Sequence, residues 1–116
     1  MSKITTHILD VSIGKPAEGV SVKLFSLNEK SEWKEIANGN TNSDGRVTDL
    51  LPIDIIPEKG IYKIKFMTGE YFKKNNTAGF YPFVEIVFEI DSSEHYHIPL
   101  LLSPFGYTTY RGSWDS

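Results

Sequence analysis

The 116-residue sequence contains no cysteine, no basic run longer than Lys73-Lys74 and no apolar stretch long enough to cross a membrane. The lack of cysteine excludes a disulfide framework and thiolate chemistry. Twelve Lys and Arg against fifteen Asp and Glu give a formal charge of -3, and without a basic track for phosphates we expect no nucleic-acid partner. The first residues, MSKITTHILD, lack the apolar region of a secretion signal, so we expect a cytoplasmic protein with no membrane association.

Apolar and polar residues alternate in segment after segment, which is the pattern of half-buried strands, whereas helical periodicity is brief and predicts one short helix at 68–76. A chain of this length suits one compact domain. We therefore predict a single all-β domain over residues 1–116, a two-sheet sandwich of about eight strands with one short helix. The predicted strands cover 4–10, 20–27, 32–37, a short segment from Arg46, 61–67, 84–90, 95–103 and 106–113.

Turn-forming residues separate the predicted strands. A turn is predicted at Gly14-Lys15-Pro16, and Asn38-Gly39 is predicted to end the strand at 32–37. Asp44-Gly45 stands directly before Arg46, which favours a tight turn at this point. We therefore expect the arginine side chain to be held near a rigid corner of the fold.

The segment HYHIPLLLS (95–103) has two unlike faces if it is a strand. One face, which we assign to the core, carries Tyr96, Ile98, Leu100 and Leu102. The other face carries His95, His97, Pro99, Leu101 and Ser103. Because a solvent-facing side is not expected to combine imidazoles with proline and leucine, we predict that another subunit covers this face. A site there would be built from more than one chain.

The titratable side chains most suited to chemistry are the three histidines, His7, His95 and His97. A neutral imidazole can take a proton from water near neutral pH, although any single histidine could equally be a buried ring satisfied by hydrogen bonds. Arg46 could bind a ring carbonyl and stabilise an oxyanion, or could be a solvated hairpin residue. The tail 110–113, YRGS, offers a phenol, a guanidinium and a hydroxyl, or is an ordinary edge strand that frays.

Two other chemistries are open. The three histidines together would give the nitrogen ligands of a catalytic zinc site, but no carboxylate motif or HExxH supports it. A serine nucleophile at Ser113 has no G-x-S-x-G motif around it. Water activated by a histidine is the simpler proposal, and it needs no metal.

Four stretches and their spacing resemble the transthyretin-like family and, within it, the branch of the 5-hydroxyisourate hydrolases. They are ITTHILD (4–10), GKPAEGVSVKL (14–24), TNSDGRVTDLL (41–51) and HYHIPLLLSPFGYTTYRGS (95–113). The resemblance runs nearly from end to end. Its most specific part is YRGS after LLLSP, which distinguishes the hydrolases from the hormone-carrying transthyretins of the same fold.

The resemblance implies a homotetramer of β-sandwiches, with active sites in a channel where two dimers meet. It implies hydrolysis of the small molecule 5-hydroxyisourate, which opens the six-membered ring to 2-oxo-4-hydroxy-4-carboxy-5-ureidoimidazoline, with no cofactor and no metal. The family's catalytic positions correspond to His7, Arg46, His97 and Ser113, and its substrate-binding positions to His7, Arg46 and Tyr110. His95 is interpreted as a supporting residue.

The resemblance also leaves an alternative of another class, a non-catalytic carrier that binds a small aromatic ligand in the same channel. A carrier is expected to line that space with apolar groups. Burial of two histidines and an arginine is energetically unfavourable, so their presence there favours a catalytic function. One departure from the family pattern is the extension Trp114-Asp115-Ser116, since family members commonly end at YRGS. Because Trp114 follows Ser113, Ser113 does not carry the terminal carboxylate in this sequence.

Overall fold

Nine strands and one helix make up the part of the chain that the computed structural model describes, residues 2–113. The C-terminal extension, Trp114-Asp115-Ser116, lies outside the described residues. The elements are β1 (Ile4–Asp10), β2 (Lys15–Pro16), β3 (Ser21–Leu27), β4 (Trp33–Asn40), β5 (Arg46–Val47), β6 (Gly60–Phe66), α1 (Thr68–Lys74), β7 (Val84–Ile90), β8 (Tyr96–Ser103) and β9 (Gly106–Thr109). Within residues 2–113 no helix is long and apolar enough to span a membrane.

The strands form two sheets, as predicted from the alternating pattern. One sheet has the order β2-β1-β8-β9, with β5 also paired to β1, and the other has the order β4-β3-β6-β7. All pairings are antiparallel except that of β1 with β8, which is parallel. The predicted all-β sandwich with one short helix is confirmed.

The core lies between the two sheets and is built from the inward positions of the strands. Because side chains alternate across a strand, Val22 and Leu24 of β3 and every second residue of β6 from Tyr62 to Phe66 are buried. In β8 both faces are buried from Tyr96 to Leu100. The face of the segment 95–103 that was assigned to the core is buried as expected. Residues that are at most 1% exposed include Ile4, Ile8, Val22, Leu24, Ile64, Phe66, Val84, Ile90, Leu100 and Leu102.

Two predicted turns are wrong in detail. Lys15 and Pro16 form a two-residue strand paired with Asp10 and Leu9, which makes nine strands where eight were predicted. Proline is tolerated there because β2 lies at the edge of its sheet, where no ladder bond needs its missing N–H. The strand β4 does not end before Asn38-Gly39 but continues to Asn40.

Gly39 lies within β4 because the side chain of Val47 packs closely against it. A Cβ atom at this position would lie 3.1 Å from Cγ1 of Val47. A glycine in a strand often marks such a close approach by a neighbouring segment rather than a turn. The packing of β5 against β4 therefore accounts for the wrong strand boundary.

The helix α1 is tied to β1 by a buried hydrogen bond. The hydroxyl of Tyr71 donates to Oδ2 of Asp10 at 2.8 Å, and the other carboxylate oxygen accepts from the backbone N–H and the hydroxyl of Ser12. Asp10 is only 3% exposed. Burial, together with the hydrogen bond to Asp10 and its charge, raises the pKa of the Tyr71 phenol well above its usual range. The helix ends at Lys74, two residues before the predicted end at Asn76. Asn76 itself adopts a positive φ of 53°, which is not helical.

We predict that Tyr71→Phe lowers the free energy of unfolding by about 1–3 kcal/mol, because it leaves a buried carboxylate oxygen without its donor. The control is Tyr107→Phe, which changes a tyrosine that is 41% exposed. Its effect should stay within about 0.5 kcal/mol. Urea denaturation of both variants measures the difference, and equal stabilities would contradict a structural role for the Tyr71–Asp10 bond.

Candidate active site

The pairing of β1 with β5 and β8 brings three of the predicted site residues to one face of the sheet. The parallel register with β8 places Thr5 opposite His97 and His7 opposite Pro99. The antiparallel register with β5, on the other edge of β1, places His7 opposite Arg46. Paired residues point to the same side of a sheet, so His7, Arg46 and His97 share the face that turns away from the core.

The loop before β5 fixes the backbone of Arg46. The side-chain oxygen of Asn42 accepts hydrogen bonds from the N–H groups of Asp44 and Arg46, at 2.9 and 3.0 Å. Gly45 has a φ of +73°, and a Cβ atom there would lie 2.4 Å from the carbonyl oxygen of Ile8. Only glycine can make this turn so close to β1. The rigid corner that was predicted from Asp44-Gly45 is therefore present.

The hydroxyl of Thr5 contacts two imidazoles, a feature that sequence reasoning missed. Thr5 Oγ1 lies 2.8 Å from Nδ1 of His97 and 2.7 Å from Nε2 of His95. Thr5 is 2% exposed and His97 is 5% exposed. The alternation of ITTHILD (4–10) places Thr5 on the same face as His7, but it does not show which residues of another strand lie opposite Thr5. His95, interpreted as a supporting residue, shares this hydroxyl with His97.

The surroundings lower the pKa of all three histidines. Burial, followed by the positive charge of Arg46 and the neighbouring His7 and His95, lowers the pKa of His97 to about 4. Burial and then Arg46 also lower the pKa of His7, although its hydrogen bond to the backbone of Asp44 acts in the opposite direction. Burial and then Lys3 lower the pKa of His95. At neutral pH each imidazole therefore has a nitrogen lone pair that can accept a proton.

The C-terminal tail lies across the strand that carries His97. The N–H of Gly112 donates to the carbonyl oxygen of His97 at 2.9 Å. A Cβ atom on Gly112 would lie 2.7 Å from Cδ2 of His97 and 2.8 Å from Cγ of Pro99. Beside the glycine, the guanidinium of Arg111 lies over the ring of Tyr96 and forms an ion pair with Glu94. Glycine is thus required in YRGS because the tail packs directly on the imidazole.

The tail also changes the interpretation of the second face of β8. Within the single chain, Gly112 packs on His97 and Pro99, whereas Leu101 and Ser103 of the same face remain partly exposed, and the covering of this face by another subunit stays a prediction. Tyr110 and Ser113, on either side of the contact, are exposed in the single chain, Tyr110 to 55%. The structure therefore brings His7, Arg46 and His97 together and places Tyr110 and Ser113 on a tail next to them.

The arrangement of the histidines differs from that of a metal site. Across residues 2–113, no group of three or more His, Cys, Asp and Glu side chains is placed to hold a metal ion. One nitrogen of His95 and one of His97 are both engaged by the Thr5 hydroxyl. The rings are nearly perpendicular, at 83°, with centroids 6.4 Å apart. This geometry does not favour the zinc alternative.

The structure is thus a two-sheet sandwich that carries imidazoles and a guanidinium on one outer face. Residues 4–112 match the model of the HIUase/Transthyretin family. The match covers nearly the whole chain, so this protein belongs to the HIUase/Transthyretin family.

Relatives with similar sequences carry the name of one enzyme. The probable 5-hydroxyisourate hydrolase of Schizosaccharomyces pombe is 49% identical over 95% of this chain and 90% of its own length. The 5-hydroxyisourate hydrolase of Mus musculus is 46% identical over 97% of this chain and 96% of its own length. Both alignments run almost from end to end.

Similar folds occur in both branches of the family. The structure of Klebsiella pneumoniae 5-hydroxyisourate hydrolase matches with a TM-score of 0.82 and 35% identity, over 95% of this chain and 98% of that chain. The structure of sea bream transthyretin in complex with thyroxine matches with a TM-score of 0.91 and 31% identity, over 99% and 98%. Backbone similarity therefore does not distinguish the two branches.

We predict that Gly112→Ala displaces the tail from His97. The added methyl group would overlap the imidazole and Pro99, so the free energy of unfolding should fall by about 1–3 kcal/mol. The amide at position 112 should also exchange with solvent faster, because its bond to the His97 carbonyl is lost. Gly106→Ala is the matched control, since the nearest atom to a Cβ there, Oγ of Ser103, lies 3.8 Å away. Unchanged exchange in Gly112→Ala would contradict tail packing.

We predict that stability falls as the pH falls from about 6.5 to about 4. The folded pKa of His97, about 4, lies below the ordinary value of 6.5, so in this window the unfolded chain binds more protons than the folded chain. The loss attributable to His97 reaches about 3 kcal/mol at the acid end. Urea denaturation at several pH values measures the slope. His97→Asn should have a shallower slope, and identical slopes would show that His97 is not held neutral.

Proposed function

We propose that this protein is a 5-hydroxyisourate hydrolase that opens the six-membered ring of its substrate to give 2-oxo-4-hydroxy-4-carboxy-5-ureidoimidazoline. The observation that carries the proposal is the convergence of His7, Arg46 and His97 on one face of the sheet. The names of the relatives, at 42–49% identity, support the substrate. The fold alone would serve equally for a carrier.

Neutral imidazoles beside a guanidinium suit the hydrolysis of a cyclic amide. His7 or His97 takes a proton from water as the water oxygen bonds to the ring carbonyl carbon. Arg46 binds the carbonyl oxygen and stabilises the negative charge that develops on it. The C–N bond of the ring then breaks, and the protonated imidazole returns its proton to the departing nitrogen. The step consumes one water and requires no cofactor.

The tail supplies the remaining contacts to the substrate in this proposal. Gly112 packs on His97 and so keeps Tyr110 and Ser113 beside the imidazole. We infer that Tyr110 binds the substrate ring and that Ser113 acts on the reacting atoms through its hydroxyl. Because Arg111 is held by Glu94 and Tyr96, it anchors the tail rather than contacting the substrate.

The proposal includes a homotetramer in which a second copy completes the site. Two features support this assembly. Tyr110 is 55% exposed on the tail that packs on the buried His97, and large apolar residues are exposed at the ends of the same sheet, among them Val11, Ile13 and Phe105. In the proposed tetramer a second copy covers these apolar residues. The absence of cysteine is compatible with the reducing environment of the cytoplasm, where we place the reaction.

The alternative is a carrier of a small aromatic ligand, since a thyroxine-bound transthyretin has the same fold, with a TM-score of 0.91. The two functions are distinguished by generating 5-hydroxyisourate in the cuvette from urate and urate oxidase. A hydrolase accelerates the decay of its ultraviolet absorbance, and a carrier does not. Chelator should leave the rate unchanged, whereas loss of activity that added zinc restores would favour the metal alternative.

We predict that His7→Asn and His97→Asn each lower turnover by about two to four decades, the range for lost general acid–base catalysis. Size-exclusion chromatography should show the same assembly as for the original protein. Lys30→Ala, in the exposed turn between β3 and β4, is the control and should retain full activity. An unaltered rate in either histidine variant would remove that histidine from the mechanism.

A further inference from the structure

The contacts of the Thr5 hydroxyl have no role in the proposed mechanism, but they restrict where the protons of His95 and His97 can lie. It lies within hydrogen-bond distance of one nitrogen of His95 and one of His97. A hydroxyl has a single proton to donate, and a neutral imidazole has one N–H and one bare nitrogen. If both contacts are hydrogen bonds, Thr5 donates to one ring and accepts from the other. The tautomers of the two histidines are therefore coupled.

Two arrangements satisfy both contacts. In the first, Thr5 donates to Nε2 of His95 and accepts from Nδ1–H of His97, which leaves Nε2 of His97 bare. In the second, Thr5 donates to Nδ1 of His97 and accepts from Nε2–H of His95, which puts the proton of His97 on Nε2. Only the first leaves His97 with a basic nitrogen that faces away from Thr5.

The charge of Arg46 favours the first arrangement. Its positive charge acts on both His7 and His97, so all three groups lie within electrostatic range of one another. A bare nitrogen presents negative potential toward a nearby cation, whereas an N–H dipole is repelled by it. Since Nδ1 of His97 is occupied by Thr5, the nitrogen left to interact with the site is Nε2.

We propose that Thr5 is a positioning residue that fixes His97 as the Nδ1–H tautomer and connects it to His95 as a proton relay. This role rests on the proposed function. When Nε2 of His97 takes a proton from water, its Nδ1 proton passes to Oγ1 of Thr5. The hydroxyl proton of Thr5 passes to Nε2 of His95, which then carries the positive charge as an imidazolium. When the leaving nitrogen takes the proton from Nε2 of His97, the protons move back along the same path and both rings are neutral again.

The burial of the three groups gives this relay a direction. His97 and Thr5 are almost fully buried, whereas His95 lies at the start of the segment and is partly exposed. A positive charge costs less on a partly solvated ring than on a buried ring beside an arginine. Moving the charge from His97 to His95 therefore stabilises the protonated state during the attack of water.

Thr5→Val tests the relay because it preserves the shape of the side chain and removes the hydroxyl. We expect kcat to fall about 10- to 100-fold, at the lower end of the effects of general base catalysis, with KM changed less than about 3-fold. Thr5→Ser retains a hydroxyl and should recover most of the activity. Nitrogen-15 spectra of the histidine rings, recorded without substrate, should show protonated Nδ1 on His97 in the original protein and in Thr5→Ser, but a mixture in Thr5→Val.

Thr6→Val is the matched control. Thr6 is the next residue of β1, is fully buried and donates a 2.6 Å hydrogen bond to the carbonyl oxygen of Ile98 on the core side. This variant should lose stability comparable to that of Thr5→Val while keeping its kcat and the histidine spectrum. A general effect of losing a buried hydroxyl would instead lower activity in both.

The outcomes separate this inference from the proposed function. If the original protein does not accelerate the decay of 5-hydroxyisourate, the proposed function fails, whatever the spectra show. If it does, and Thr5→Val keeps both its kcat and the spectrum of the original protein, the relay is overturned. A protonated Nε2 on His97 in the original protein would also overturn it. Should Thr5→Val not fold, His95→Gln provides the same kinetic test from the other end of the relay, with the same fall in kcat expected.

Discussion

The parallel pairing of β1 with β8 is the constraint on which the site depends. It is the one parallel contact between the strands of the described region, residues 2–113, and its register sets Thr5 against His97. Side chains alternate with a period of two, so a slip by one residue would send His97 into the core and bring Ile98 to the site. The buried face of β8 prevents that slip, because Leu100 and Leu102 can be buried only in the native register. The hydrophobic core therefore specifies the positions of the catalytic groups.

Thr5 and His97 are tolerated as buried polar residues on this face because they are bonded to each other. A buried charge would be costly, but His97 is uncharged at neutral pH and its Nδ1 is bonded to Thr5. The same burial that lowers its pKa leaves it able to accept a proton. Backbone similarity to a thyroxine-bound transthyretin shows that this sandwich does not by itself determine a reaction. The chemistry follows from the residue types placed on the outer face of β1, β5 and β8.

Much of the fold could be predicted from the sequence because alternation is strong in the long strands. The segments 4–10, 61–67 and 84–90 lie within one residue of β1, β6 and β7. Two strand boundaries were predicted wrongly because tertiary packing overrides a local turn signal. Gly39 stays in a strand because Val47 packs closely against it, and Pro16 is accepted in a strand because that strand lies at the edge of its sheet.

The candidate site was predictable only in part. His7, Arg46 and His97 could be proposed from residue type and resemblance, and the structure places them together. The role of Thr5 could not be proposed in this way, since a threonine in a strand is unremarkable until the register shows what lies opposite. The contact of Gly112 with His97 was hidden for the same reason: a short tail offers no pattern that reveals where it docks. Both features depend on pairings between distant parts of the chain.

The separation in sequence between the two halves of the site has a consequence for folding. Thr5 and His97 are 92 residues apart, so nearly the whole chain must emerge from the ribosome before β1 finds its parallel neighbour. Closing so long a loop is entropically unfavourable, and folds dominated by such distant contacts form slowly. Until then one edge of β1 has unpaired backbone groups that can bond to another chain. The nascent chain is therefore most prone to aggregation late in its synthesis.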